Sequence, residues 1–174
     1  ANNPSVETKS NICESFQTNV LDSNWEWIDP LADSTYSLTA NPGYLRIQTP
    51  DGEHDFYNNH NAPRLVRPIS GDFSIETQVL FTPNHNYQGA GLFLWLDDSN
   101  FVRLERTLVK GVDAWYSING NYQGVEIPYS SDDVFLRMIR SGNTVSLSYS
   151  SDNSQWFSVI EISNFPLTNP AKIG

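Results

Sequence analysis

The chain has a single cysteine, Cys13, so no internal disulfide can form and the fold must be held by packing alone. Cys13 is read as a small buried or edge residue. At 174 residues that is feasible, because a core of this size buries roughly 70% of the unfolded surface. No apolar run approaches the ~18 residues of a membrane-crossing helix. Basic residues are few, 10 Lys and Arg against 20 Asp and Glu, for a net charge of −10. Such a surface is repelled by phosphate backbones and by anionic lipid, which argues against nucleic-acid binding and membrane insertion. No stretch carries a helical period, and 10 proline and 10 glycine residues interrupt every candidate. No internal repeat is present, which argues against a propeller or solenoid.

Familiar chemistry is missing too. There is no phosphate loop, dinucleotide fingerprint or nucleophile elbow. The Glu-x-Asp-x-x-Glu strand of sandwich-fold glucanases is absent. Glu53-His54-Asp55 lacks the third acid, and Glu105 lies in sequence between Arg103 and Arg106, which would keep it ionised. His54, His60 and His85 have no metal-ligand spacing and are expected in solvated loops. No metal set and no cofactor are expected. Asp97-Asp98-Ser99-Asn100 and Ser130-Ser131-Asp132-Asp133 could supply oxygens to a structural calcium, although such runs are more often plain turns. Ser150-Ser151-Asp152-Asn153-Ser154 resembles an Asp-box turn without its glycine, and reads as a hairpin turn.

What is present is a series of short strands. In Phe73-Ser74-Ile75-Glu76-Thr77-Gln78-Val79, Phe73, Ile75 and Val79 share one face and the polar residues share the other. That alternation marks an antiparallel sheet with one wet side. Gly89 to Leu96 is a nearly continuous apolar strand, and Phe101 to Arg106 returns from it. Asn119-Gly120 is a strong hairpin signal, since both residues tolerate positive φ. Val134–Arg140 and Thr144–Tyr149 form a further hairpin, and Trp156–Ile160 follows. The pattern predicts an all-β, two-sheet antiparallel sandwich or jelly roll. Residues 1–13 are expected to be a linker and 14–174 one domain. Scarce lysine with abundant Asn and Ser is a balance associated with secreted proteins, so an extracellular location is expected, although no signal peptide is read.

The motifs also carry a resemblance. Glu14-Ser15-Phe16 with Trp25-Glu26-Trp27, then Asn61-Ala62-Pro63-Arg64-Leu65, Gly71-Asp72-Phe73-Ser74-Ile75, Tyr87-Gln88-Gly89-Ala90-Gly91-Leu92-Phe93-Leu94-Trp95 and Asn100-Phe101-Val102-Arg103-Leu104-Glu105-Arg106 follow in order. Leu136-Arg137, Arg140-Ser141-Gly142-Asn143 and Tyr149-Ser150-Ser151-Asp152 before Trp156 complete the set. Together they resemble the "regulation of enolase protein 1-like" family of unknown function, in the concanavalin A-like lectin/glucanase superfamily. The resemblance implies two curved antiparallel sheets. It implies no activity, and the fold hosts lectins, glucanases and adhesion modules alike.

Alternation then maps a site. With Leu92, Leu94, Val102 and Leu104 inward, Trp95, Arg103 and Glu105 point the other way, and Trp115 joins them. In Asp55-Phe56-Tyr57, an inward Phe56 leaves Asp55 and Tyr57 outward. Such a face suits a sugar, whose apolar side packs on an aromatic ring while charged groups orient its hydroxyls. The competing reading puts Trp95 and Trp115 in the core or under a loop such as 50–62. Trp25 and Trp27 are expected in the core. The leading expectation is a non-catalytic carbohydrate-binding module, with a polysaccharide or glycan as partner. The alternatives are an adhesion or structural module packed on neighbouring domains, and a divergent glycoside hydrolase.

Overall fold

The computed structural model describes residues 13–108, 111–166 and 170–174. Among them every regular element is a strand, and the strand pairings within each unit are antiparallel. The chain forms two compact units: one holds the described residues up to Pro68 with Gly174, the other Ile69–Ile173.

The first unit contains β1 (Glu26–Ile28), β2 (Thr35–Ser37), β3 (Arg46–Gln48) and most of β4 (Arg64–Ile69). β1 pairs with β4, setting Trp27 opposite Leu65, and β2 pairs with β3, setting Tyr36 opposite Ile47. Trp25 and Trp27 are only half-buried, short of the core positions expected from sequence. Arg67 covers Trp25 at 5.4 Å, and Tyr36 packs on Trp27 at 5.1 Å. A polar cap replaces a full apolar shell in the first case, because a guanidinium plane can stack on an indole while keeping water at its edge.

The second unit holds β5 (Phe73–Leu80), β6 (Gly89–Asp97), β7 (Asn100–Thr107), β8 (Val112–Ile118), β9 (Asn121–Ile127), β10 (Asp133–Ser141), β11 (Thr144–Ser150), β12 (Phe157–Ile162) and β13 (Ala171–Ile173). Within it β13, β6, β7, β8 and β9 lie side by side in that order, and β12, β11, β10 and β5 form a second sheet. The core sits on their inner faces. Leu92, Leu94, Val102, Leu104, Val112 and Ala114 are buried on the larger sheet, and Phe73, Val134, Leu136, Met138, Val145 and Leu147 on the smaller. Each set recurs at every second residue, as the pleat requires.

Turn chemistry fixes the register. Asn119 and Gly120 take φ of 51° and 80°, so the β8–β9 hairpin closes in two residues and Ile118 meets Asn121. Asp97 accepts from Ser99 N at 2.8 Å and from the Asn100 amide at 2.9 Å, which ties the β6–β7 turn. Arg106 has inward parity rather than sitting beside Glu105, and is 3% exposed. Neighbours in a strand point to opposite faces, so only Arg103 shares the face of Glu105.

Candidate functional site

The outer face of β6–β9 gathers four of the six candidate residues. Trp95 on β6 stands opposite Phe101 on β7, and its ring lies 5.4 Å from the Lys172 ammonium of β13. Phe93 stacks beside it at 6.4 Å. Trp115 on β8 stands opposite Arg103 on β7 and Gly124 on β9. A Cβ at Gly124 would come within 2.3 Å of the indole, so only glycine lets the Trp115 ring lie against the neighbouring strand. Tyr122, two residues back, stacks on Trp115 at 5.1 Å with the planes 6° apart. Arg103 donates to the Tyr122 hydroxyl and lies 3.7 Å from Glu105. Trp95 and Trp115 are half-buried, neither sealed in the core nor fully exposed. The side chains of Arg103 and Glu105 keep 17% and 20% of their surface.

A row of acids crosses the same face. Glu105, Asp113 and Glu126 are direct cross-strand partners on β7, β8 and β9. Asp113 is buried at 6% exposure, with Thr107 donating to it at 3.0 Å. Burial pushes its carboxyl up, the Thr107 hydrogen bond opposes this, and the charges of Glu126 and Glu105 add to the rise. Sequence inspection named Glu105 alone. Tyr122, Gly124, Asp113 and Glu126 become visible only by counting back from the two-residue Asn119–Gly120 turn, which pairs Trp115 with Gly124 and Asp113 with Glu126.

Asp55 and Tyr57 belong to the other unit, on the segment between β3 and β4. Asp55 Oδ1 accepts the backbone amides of Tyr57, Asn58 and Asn59 at 2.7, 2.8 and 3.2 Å, and Oδ2 takes the Asn59 side chain at 2.7 Å. Burial acts to raise its carboxyl, but the amides together outweigh it and hold it below the usual range. Its first task is to build the turn that carries Tyr57, which is 54% exposed. His54 is not solvated as expected from sequence: its side chain is 8% exposed and its Nε2 lies 3.0 Å from Asp33. Cys13, in contrast, is exposed.

Three of the four acids in the two turns considered for calcium already accept hydrogen bonds from protein groups. Asp97 holds its own turn, Asp132 accepts from Thr82 at 3.1 Å, and both Asp133 oxygens take Gln78 at 3.0 Å. Among the described residues no three His, Cys, Asp or Glu side chains converge as metal ligands. The arrangement offers aromatic rings beside carboxylates and one guanidinium, a surface matched to a flat ring carrying hydroxyls.

Comparison with known proteins gives the lineage. A family model of the beta-xylosidase C-terminal concanavalin A-like domain matches residues 13–170. The chain is 25% identical over 139 residues to a xylan 1,3-beta-xylosidase of Vibrio sp, covering 75% of this chain and 25% of that protein. It is 27% identical over 140 residues to a putative beta-xylosidase of Escherichia coli (strain K12), covering 75% and 26%. It thus spans about a quarter of the length of these curated relatives. In structure it is similar to the GH43 BlXynB protein from Bacillus licheniformis, with a TM-score of 0.78 at 16% identity over 92% of this chain and 34% of that one. It is also similar to a functionally unknown protein from Saccharomyces cerevisiae, with a TM-score of 0.69 at 18% identity over 87% and 85%. The concanavalin A-like placement inferred from the motifs stands. The matching family model spans nearly the whole chain, and this protein belongs to the family of beta-xylosidase C-terminal concanavalin A-like domains.

Proposed function

We propose that this chain is a non-catalytic, extracellular accessory module that binds carbohydrate through the outer face of β6–β9. The observation that supports this most is the Trp115–Tyr122 stack beside Arg103 and Glu105. A stacked ring pair presents a rigid apolar surface at low entropic cost, and the flanking charges supply directional donors and acceptors for hydroxyls. Trp95 extends the aromatic surface along β6. The names of the relatives point to xylan-type polymers as the first ligands to try. The test is calorimetric titration of the chain with xylo-oligosaccharides, cello-oligosaccharides and β-1,3-glucan oligomers. The reading requires saturable binding to at least one, lost in Trp115→Ala while the variant still melts cooperatively. Retention of binding in that variant would contradict it.

A second reading is that the module seats against the remainder of a xylosidase-like protein. Its support is that the chain matches only about a quarter of the relatives' length. It predicts that no oligosaccharide binds, while a separately produced catalytic segment of such a protein does. A divergent hydrolase would draw its carboxylates from the Glu105–Asp113–Glu126 row. Reducing ends released from xylan by the chain, and abolished in Asp113→Asn, would establish that reading instead.

A further inference from the structure

A cavity of about 430 Å³ in the second unit lies off the proposed face. Its walls are Pro83, Leu108, Pro128 and Tyr129, with Ser130 and Asp132 also lining it. Arg106 reaches it from the inward side of β7. This is the size range of small-molecule sites, and the lining is divided evenly between apolar walls and polar groups.

Arg106 is the unusual member. It is 3% exposed, yet no carboxylate lies within ion-pair distance among the described residues. Its Nε donates to the Ser131 carbonyl at 2.7 Å, and its Nη1 donates to the carbonyls of Thr107 and, at 3.3 Å, Gly111. Tyr129 places its ring 5.8 Å from the guanidinium. Nη2 has no protein acceptor among the described residues. Carbonyl dipoles and a ring quadrupole offset part of the charge, but a buried guanidinium without a counter-ion remains costly. The Tyr129 hydroxyl is held by donation to the Asp133 carbonyl at 2.6 Å, which fixes the ring as a wall.

We infer that this cavity binds a monoanionic carboxylate carried on a small ring, with the carboxylate on Arg106 and the ring between Tyr129 and the two prolines. One positive charge matches one negative charge. Asp132 in the lining adds a negative charge that disfavours dianions, so phosphate is the wrong ligand above about pH 8, where it is mostly dianionic. Two sources share this chemistry: a uronic acid residue of a polysaccharide, and a free aromatic carboxylate. Pyranose and arene both present a flat face to Tyr129.

The test, run in that alkaline range, is nuclear magnetic resonance titration of the whole chain with D-glucuronate, benzoate, D-xylose and inorganic phosphate, following the Arg106 side chain and the Tyr129 ring. The expected result is saturable shifts at both with glucuronate, benzoate or both, and none with xylose or phosphate at the same concentration. Whichever carboxylate binds more tightly identifies the source. Leu108→Trp, at a 38% exposed wall position, should fill the cavity and weaken binding roughly tenfold or more without disturbing Arg106. Asp132→Asn should let phosphate bind. Trp115→Ala should leave carboxylate binding unchanged, which separates this site from the saccharide face. Equal shifts with xylose, or no shifts at Arg106 with either carboxylate, would overturn the proposal.

Discussion

The two sheets of the second unit bury equivalent inner faces and treat their outer faces in opposite ways. On the smaller sheet the outer side carries Gln78, Ser146 and Ser148, with Phe135 and Ile139, around one Arg–Glu pair. Arg137 binds Glu76 at 2.8 Å and lies 3.6 Å over the ring of Trp156. One face of that indole is therefore spent on a cation. On the larger sheet Trp115 rests against a glycine and stacks on Tyr122, while the nearby Arg103 is turned to Tyr122 and Glu105. The same residue types give a capped tryptophan on one sheet and an aromatic platform on the other. Composition cannot distinguish the two; pairing across strands does.

The inner faces should behave alike, and this is where the largest effects are expected. Leu104→Ala and Leu136→Ala, both at 0% exposure, should each cost about 2–5 kcal/mol in denaturant unfolding. A large difference between them would show that one sheet carries the core alone.

The glycines should separate the sheets next. Gly124→Ala drives a methyl into the Trp115 ring and toward the Ala114 carbonyl at 2.8 Å, so a loss of about 1–3 kcal/mol is expected, together with loss of the Trp115–Tyr122 stack. Near-ultraviolet circular dichroism reports the second effect. At Gly142, in the β10–β11 turn, a methyl meets nothing within 4 Å, and only its φ of +58° resists the change. Gly142→Ala should cost ~1 kcal/mol and leave the aromatic signal intact.

Two aspartates of the second unit give opposite pH signatures. Asp113 on the larger sheet has its carboxyl raised by burial, Thr107 opposing and Glu126 and Glu105 reinforcing. The folded protein keeps that proton where the unfolded chain has lost it, so stability falls as pH rises above the ordinary value of 3.8. Asp113→Asn should therefore raise the melting temperature at pH 7 and give no gain at pH 3. Asp152, in the turn after β11, is lowered chiefly by the backbone amides of Gln155 and Ser154. Its contribution is present above 3.8 and is lost as pH falls through its lower folded value. Asp152→Ala should lower the melting temperature at neutral pH, and the deficit should shrink in acid. This is the smallest of the expected effects, because the group is exposed.

Much of this was legible in the chain. The alternation in Phe73–Val79 and the apolar run from Gly89 placed β5 and β6, and Asn119-Gly120 fixed the β8–β9 turn. The shared outward parity of Trp95, Arg103, Glu105 and Trp115 follows from the pleat alone. Asp113, Tyr122 and Glu126 were hidden because they join the face by cross-strand pairing, which local periodicity does not express. The burial of Arg106 was hidden for a related reason: an arginine next to a glutamate in sequence reads as its partner, yet the pleat sends the two to opposite sides. His54 was misplaced because a loop histidine looks solvated until its distant acceptor, Asp33, is known.

The central claim is that the outer face of the larger sheet, and not that of the smaller, is the saccharide site. Parallel calorimetric titrations of Trp115→Ala and Trp156→Ala with the best-binding xylo- or gluco-oligosaccharide test it most directly. Trp115→Ala is expected to lose binding by roughly tenfold or more while Trp156→Ala binds like the parent chain. Loss of binding in Trp156→Ala with full affinity retained in Trp115→Ala would contradict it.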